Sequence, residues 1–178
     1  MVKQEPFAVE QFMDKYETGI IYNMGETCVD SLTIPEIIGS DKLASAKIAQ
    51  DLLNTKLTYG HIKGSPELRE GIAALYEGSG ITADDVVVTN GAIAANFLCF
   101  YTLVNPQDHV IVVAPSYQQL LSVPEMFGGN VDLFHVRSED SYKPRLDLLR
   151  SMIASNDTKL LVINNPNNPT GFVWENDI

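Results

Sequence analysis

The succession of apolar runs in the second half of the chain restricts its fold more than any other feature. Val86-Val87-Val88, His109 to Ala114, Val131 to Val136 and Lys159 to Asn164 are short and rich in β-branched residues, which predicts strands. Between them, Ala92 to Val104, Tyr117 to Phe127 and Arg145 to Ala154 have the length and composition of helices. No strand run alternates cleanly with polar residues, so both faces of each must be covered. Strands joined through helices are expected to pair in parallel. The expected class is therefore α/β, with a mostly parallel, doubly wound sheet covered by helices. Ala92 to Val104 is apolar almost throughout, which predicts burial on most of its sides.

The first half reads differently. Phe7 to Tyr16 predicts a short helix, Ile20 to Glu26 an extended segment opening into a loop, and Asp41 to Asn54 an amphipathic helix. Ser65-Pro66-Glu67 is a helix start, because Ser65 can accept from a free backbone amide and Pro66 loses no donor at the first helical position. Gly78 and Gly80 end that helix.

A net charge of −11 with a pI near 4.5 repels polyanions, and no Lys/Arg cluster offsets it, so neither nucleic acid nor an anionic membrane is an expected partner. No apolar run reaches the roughly 18 residues of a membrane span, and Met1 to Met13 does not resemble a secretion signal. A cytoplasmic address is the expectation. Cys28 and Cys99 are far apart and read as reduced, partly buried thiols. His61, His109 and His135 lack metal-ligand spacing, and Glu26 with Asp30 reads as solvated loop charge.

Two segments can carry chemistry. In Val86-Val87-Val88-Thr89-Asn90-Gly91-Ala92-Ile93 a tight turn opens a helix whose first residues include Gly91 and Ala92. The unpaired N–H groups and positive dipole end of that helix can hold a phosphate, although many such turns use a glycine only to bend. No GxGxxG and no P-loop lysine is present. The second segment, Asn164-Asn165-Pro166-Asn167-Asn168-Pro169-Thr170-Gly171, follows Leu160-Leu161-Val162-Ile163, and ligands bind in loops after the carboxyl ends of such strands. Four asparagines, two prolines and a Thr-Gly ending exceed what one turn requires.

That string resembles the NPxNPTG signature of the class I/II, fold type I aminotransferases, which depend on pyridoxal 5'-phosphate. Tyr59-Gly60 with Gly64 and Leu68-Arg69, and the Thr89-Asn90-Gly91-Ala92 turn, fall in the family's order and spacing. The resemblance implies that Gly91, Ala92 and Ile93 hold the cofactor phosphate, Ile93 through its backbone alone because it replaces a hydroxyl residue common there. It implies that Tyr117 stacks on the pyridine ring, that Asn168 donates to the phenolic oxygen, and that Tyr59 reaches a phosphate in the neighbouring subunit of a homodimer. It further implies an N-terminal arm and small-domain segment at residues 1–40 and part of the cofactor-binding large domain at 41–178. The implied reaction moves an amino group between an amino acid and a 2-oxo acid.

In the family, the Schiff-base lysine, the acidic partner of the pyridine nitrogen and the substrate-binding arginines follow the NPTG segment. Here only Phe172 to Ile178 follow Gly171, so the expectation is a fragment of a longer enzyme with no catalytic residue of its own. Two other readings stand beside it. Asn23 to Thr33 is similar to the N-terminal region of the capreomycidine synthase family, which uses the same fold for elimination and ring closure. The chain could also be a non-catalytic subunit that acts by dimerising with a full-length one. A nucleotide-binding βα domain is a more distant alternative.

Overall fold

The computed structural model describes residues 4–25, 28–39, 42–76 and 78–175. Asp41, the expected first residue of the amphipathic helix, lies outside these residues, as do Glu26 and Thr27 within Asn23 to Thr33. The helices are α1 (Ala8–Tyr16), α2 (Ile34–Ile38), α3 (Lys42–Asn54), α4 (Pro66–Ala73), α5 (Gly91–Leu103), α6 (Gln119–Met126) and α7 (Leu146–Ser155). The strands are β1 (His109–Ala114), β2 (Asn130–His135) and β3 (Thr158–Val162). The chain divides into two compact units, one of Met1–Asp14 with Val88–Ile178 and one of Lys15–Val87.

In the first unit, β1 pairs in parallel with β2 on one side and β3 on the other, giving the order β2-β1-β3. Because successive side chains of a strand point to opposite faces, β1 supplies two cores. Val110 and Val112 join Phe100, Val104, Leu120 and Val123 on the face covered by α5 and α6. Ile111 and Val113 join Phe134, Val136 and Leu149 on the face covered by α7. Helices on both faces explain why β1 shows no polar alternation, and this is the α/β layering expected from the sequence.

Three expectations fail here. Val86 to Val88 forms no strand; Val86 is extended after the 3-10 turn Ala83–Asp85, and Val87 is exposed. Strand propensity reflects packing and pairing, and this run has no partner in the described sheet. Likewise α5 is not buried on most sides. Phe100 is its one buried residue, with Val104 buried just beyond its end, while Ile93, Phe97, Leu98, Tyr101 and Leu103 are exposed. A single apolar stripe at i, i+4 spacing meets the sheet and the rest of the helix points away from it. Cys99 is exposed for the same reason, and Cys28 is exposed as well, against the expected partial burial.

At the amino ends of the strands, His109 Nδ1 lies 2.8 Å from Thr158 Oγ1 and Nε2 3.0 Å from Asp132 Oδ2, binding all three strands together. Beside it Asp108 accepts from Lys159 Nζ at 2.7 Å and from the Asn105 amide at 2.7 Å. The Lys159 hydrogen bond, then the Asn105 amide, hold the Asp108 carboxyl below its ordinary value. A carboxylate with a depressed folded pKa stabilises the fold above its unfolded pKa, and that stability disappears as pH falls through the folded value. Thermal melts between about pH 7 and 3 should therefore show wild type losing its advantage over Asp108→Asn below about pH 4, with the two curves converging in acid.

In the second unit, Ser65 Oγ accepts from Leu68 N at 3.2 Å and caps α4, with Pro66 in its first turn, as the sequence predicts. Arg69, largely buried, donates to Gly64 O at 3.3 Å and Ala83 O at 2.5 Å and lies 3.6 Å from Asp84. It ties α4 to both the preceding loop and the following turn. The short helix α2 has a capping box in which Thr33 and Glu36 satisfy each other's backbone amides. No helix among the described residues is long and apolar enough to cross a membrane.

Candidate functional site

The first turn of α5 is an open amide cradle. Asn90 precedes it without capping it through its side chain, and Gly91 has φ +76, a left-handed conformation that costs glycine little. Gly91, Ala92 and Ile93 are all exposed. Thr89 Oγ1 donates to Gly91 O at 2.9 Å and steadies the bend. Three N–H groups without intrahelical acceptors, at the positive end of a helix dipole, suit an anion. The Ile93 side chain plays no part in that cradle. It lines an apolar cleft of about 860 Å³ with Phe7, Phe97, Leu98, Val123 and Met126.

Tyr117 lies in the turn between the carboxyl end of β1 and α6, half-buried, with its ring edge-to-face against Phe7 at 5.0 Å and 88°. Burial, with the Glu10 charge adding to it, pushes its phenol up, so it stays protonated and neutral at physiological pH. Asn168 lies in the loop after β3, exposed, with its backbone N–H donating to Asn164 Oδ1 at 2.7 Å. β1 and β3 are hydrogen-bonded neighbours, so the loops bearing Tyr117 and Asn168 leave the same end of the sheet. Tyr59 belongs to the other unit, where its side chain is fully exposed.

Residues that the sequence did not single out hold these pieces together. Gln119, buried, donates to Ile93 O at 2.7 Å and accepts from Asn96 Nδ2 at 3.2 Å. It joins the first turn of α5 to the start of α6, two residues beyond Tyr117. Nothing in the local string Gln118-Gln119-Leu120-Leu121-Ser122 sets Gln119 apart. Within the loop after β3, Asn165 makes a paired contact with the Trp174 backbone at 2.9 and 3.2 Å, and Trp174 Nε1 donates to Tyr142 O at 3.1 Å. Asn167 donates to Pro115 O at 3.1 Å and Thr170 Oγ1 at 2.8 Å.

The sequence model described as "Aminotransferase class I and II" matches residues 25–177. The chain belongs to this family. It is similar to the aspartate aminotransferase of Thermotoga maritima, at 36% identity over 126 residues that make up 68% of this chain and 33% of that one. It is also similar to the aspartate/prephenate aminotransferase of Thermus thermophilus, at 35% identity over 133 residues, 71% of this chain and 34% of the relative. Among solved structures, a PLP-dependent aminotransferase from Streptococcus suis superimposes with a TM-score of 0.89 and 37% identity, over 98% of this chain and 46% of that chain. The chain thus spans about a third of the length of these curated relatives. The family is pyridoxal-phosphate-dependent, and the α/β unit here matches part of its large domain.

Proposed function

We propose that this chain supplies part of the cofactor site of a pyridoxal-phosphate-dependent aminotransferase that moves an amino group between an amino acid and a 2-oxo acid. The observation that supports this most is the connection of an uncapped helix start to an aromatic turn: Gln119 bonds Ile93 O while Tyr117 stands two residues before it. The residues present fit the cofactor's three chemical faces. The open amides of Gly91, Ala92 and Ile93 suit its phosphate, Tyr117 offers a neutral ring for stacking on a pyridine, and Asn168 offers an amide donor for a phenolic oxygen. When bound, the cofactor supplies an electron sink for amino-acid chemistry. The chain's own groups bind it, orient its ring and donate one hydrogen bond that tunes it.

The family resemblance also supports the remaining parts of this proposal. Tyr59 reaches the phosphate bound by a second subunit, which makes the working protein a homodimer. Residues 41–178 belong to the large domain and 1–40 to the arm and small-domain segment. Pyridoxal 5'-phosphate added to the intact, folded protein should give an absorbance band displaced from that of the free cofactor, and Tyr117→Ala should weaken its uptake about fivefold, the equivalent of one lost stacking contact. A folded protein whose added cofactor keeps its free spectrum would sink the proposal.

A further inference from the structure

We propose that Asn167, at the position the NPxNPTG signature leaves open, positions the cofactor ring by strapping the Tyr117 loop to the Asn168 loop. The inference rests on the cofactor reading given above and deepens it. Both Nδ2 protons are engaged, one on Pro115 O at 3.1 Å and one on Thr170 Oγ1 at 2.8 Å. The Pro115 carbonyl can only accept, so the nitrogen of the amide must face it. Pro115 lies two residues before Tyr117, and Thr170 two residues after Asn168. One side chain therefore links the loop of a stacking ring to the loop of an amide donor, through a bond between residues 52 positions apart.

The backbone of Asn167 is equally constrained. Its N–H donates to Phe172 O at 2.9 Å, and its carbonyl accepts from Gly171 N at 2.7 Å. Those two bonds close the loop on itself and present the side chain toward the β1 end. Oδ1 is buried with no partner among the described residues. Asn167 also lines a void of about 10 Å³ together with Asn164, Thr170 and Trp174, close to the volume one water requires. The two bonds from Nδ2 hold the neighbouring loops at one spacing.

The phosphate cradle is bonded to Gln119 and makes no bond to Asn167, and this difference supplies the test. Asn167→Asp keeps the shape of the side chain but replaces the donor with a carboxylate oxygen facing Pro115 O. In the intact protein, binding of pyridoxal 5'-phosphate, measured by equilibrium dialysis, should weaken about tenfold, as expected when one hydrogen bond is replaced by two facing acceptor oxygens. Binding of inorganic phosphate to the same cradle should change less than about twofold, and the absorbance maximum of the bound cofactor should shift. Thr170→Val removes only one of the two acceptors and should weaken cofactor binding about threefold with phosphate again unchanged, which keeps the test decisive if the Asp variant does not fold. Cofactor affinity unaltered in both variants, or cofactor and phosphate affinities falling together, would overturn the positioning role while leaving the cofactor site standing. Wild-type protein that takes up phosphate and no cofactor would overturn the cofactor reading and this role with it.

Discussion

Phe134→Ala is expected to lower the stability of the sheet-bearing unit by about 3–5 kcal/mol, because the ring fills the core without leaving room for its neighbours to collapse. Phe134 is fully buried on β2, packed with Ile111, Val113, Val136 and Leu149 between the sheet and α7. Truncation removes the apolar area of a whole ring and leaves a cavity walled by a strand that is itself fixed on both sides. Trp174, the chain's single tryptophan, packs against this same cluster, so urea unfolding followed by its fluorescence reads the loss directly. A midpoint equal to that of wild type, with unchanged slope, would show that the cluster does not carry the stability assigned to it.

Gly91→Val is expected to have the second largest effect, acting on fold and site together. Space is not the obstacle: a Cβ at Gly91 would meet only Ile93 Cγ2, at 3.8 Å. The cost comes from φ +76, a conformation that a β-branched residue enters at about 1–3 kcal/mol. The first turn of α5 would relieve this by rotating, which turns the Gly91 and Ala92 amides off a common target. Affinity for pyridoxal 5'-phosphate and for inorganic phosphate should then fall together, by about tenfold or more. Gly91→Asn, whose side chain tolerates the left-handed region, should retain most of both. Titration of the three proteins with each ligand checks this, and a Val variant that binds both as wild type does would refute it.

The sequence told most about what is local. The run from His109 to Ala114 begins after an aspartate and ends before a proline, and β1 has these bounds. Ser65-Pro66 declared the start of α4 because the capping partner is three residues away. Reading failed where the decisive partner was distant or missing. Val86 to Val88 has strand composition without a strand to pair with, and the apolar surface of α5 indicated a need for cover without indicating how much of it the sheet would provide. Gln119 and Asn167 were not legible for the same reason. Their partners Ile93 and Pro115 are 26 and 52 residues away, and nothing in the local string marks an amide side chain as a strap rather than a turn former. The recognised signature pointed to Asn168; the structure adds what holds the loop around it.

The pairing of β1 on both sides bears on how this sheet can grow. Its backbone donors and acceptors are already engaged with β2 and β3, so any further strand, whichever chain supplies it, must be added along the outer side of one of those two. Enlarging the sheet at either margin would leave β1 at its interior, with the Tyr117 turn at its carboxyl end undisturbed.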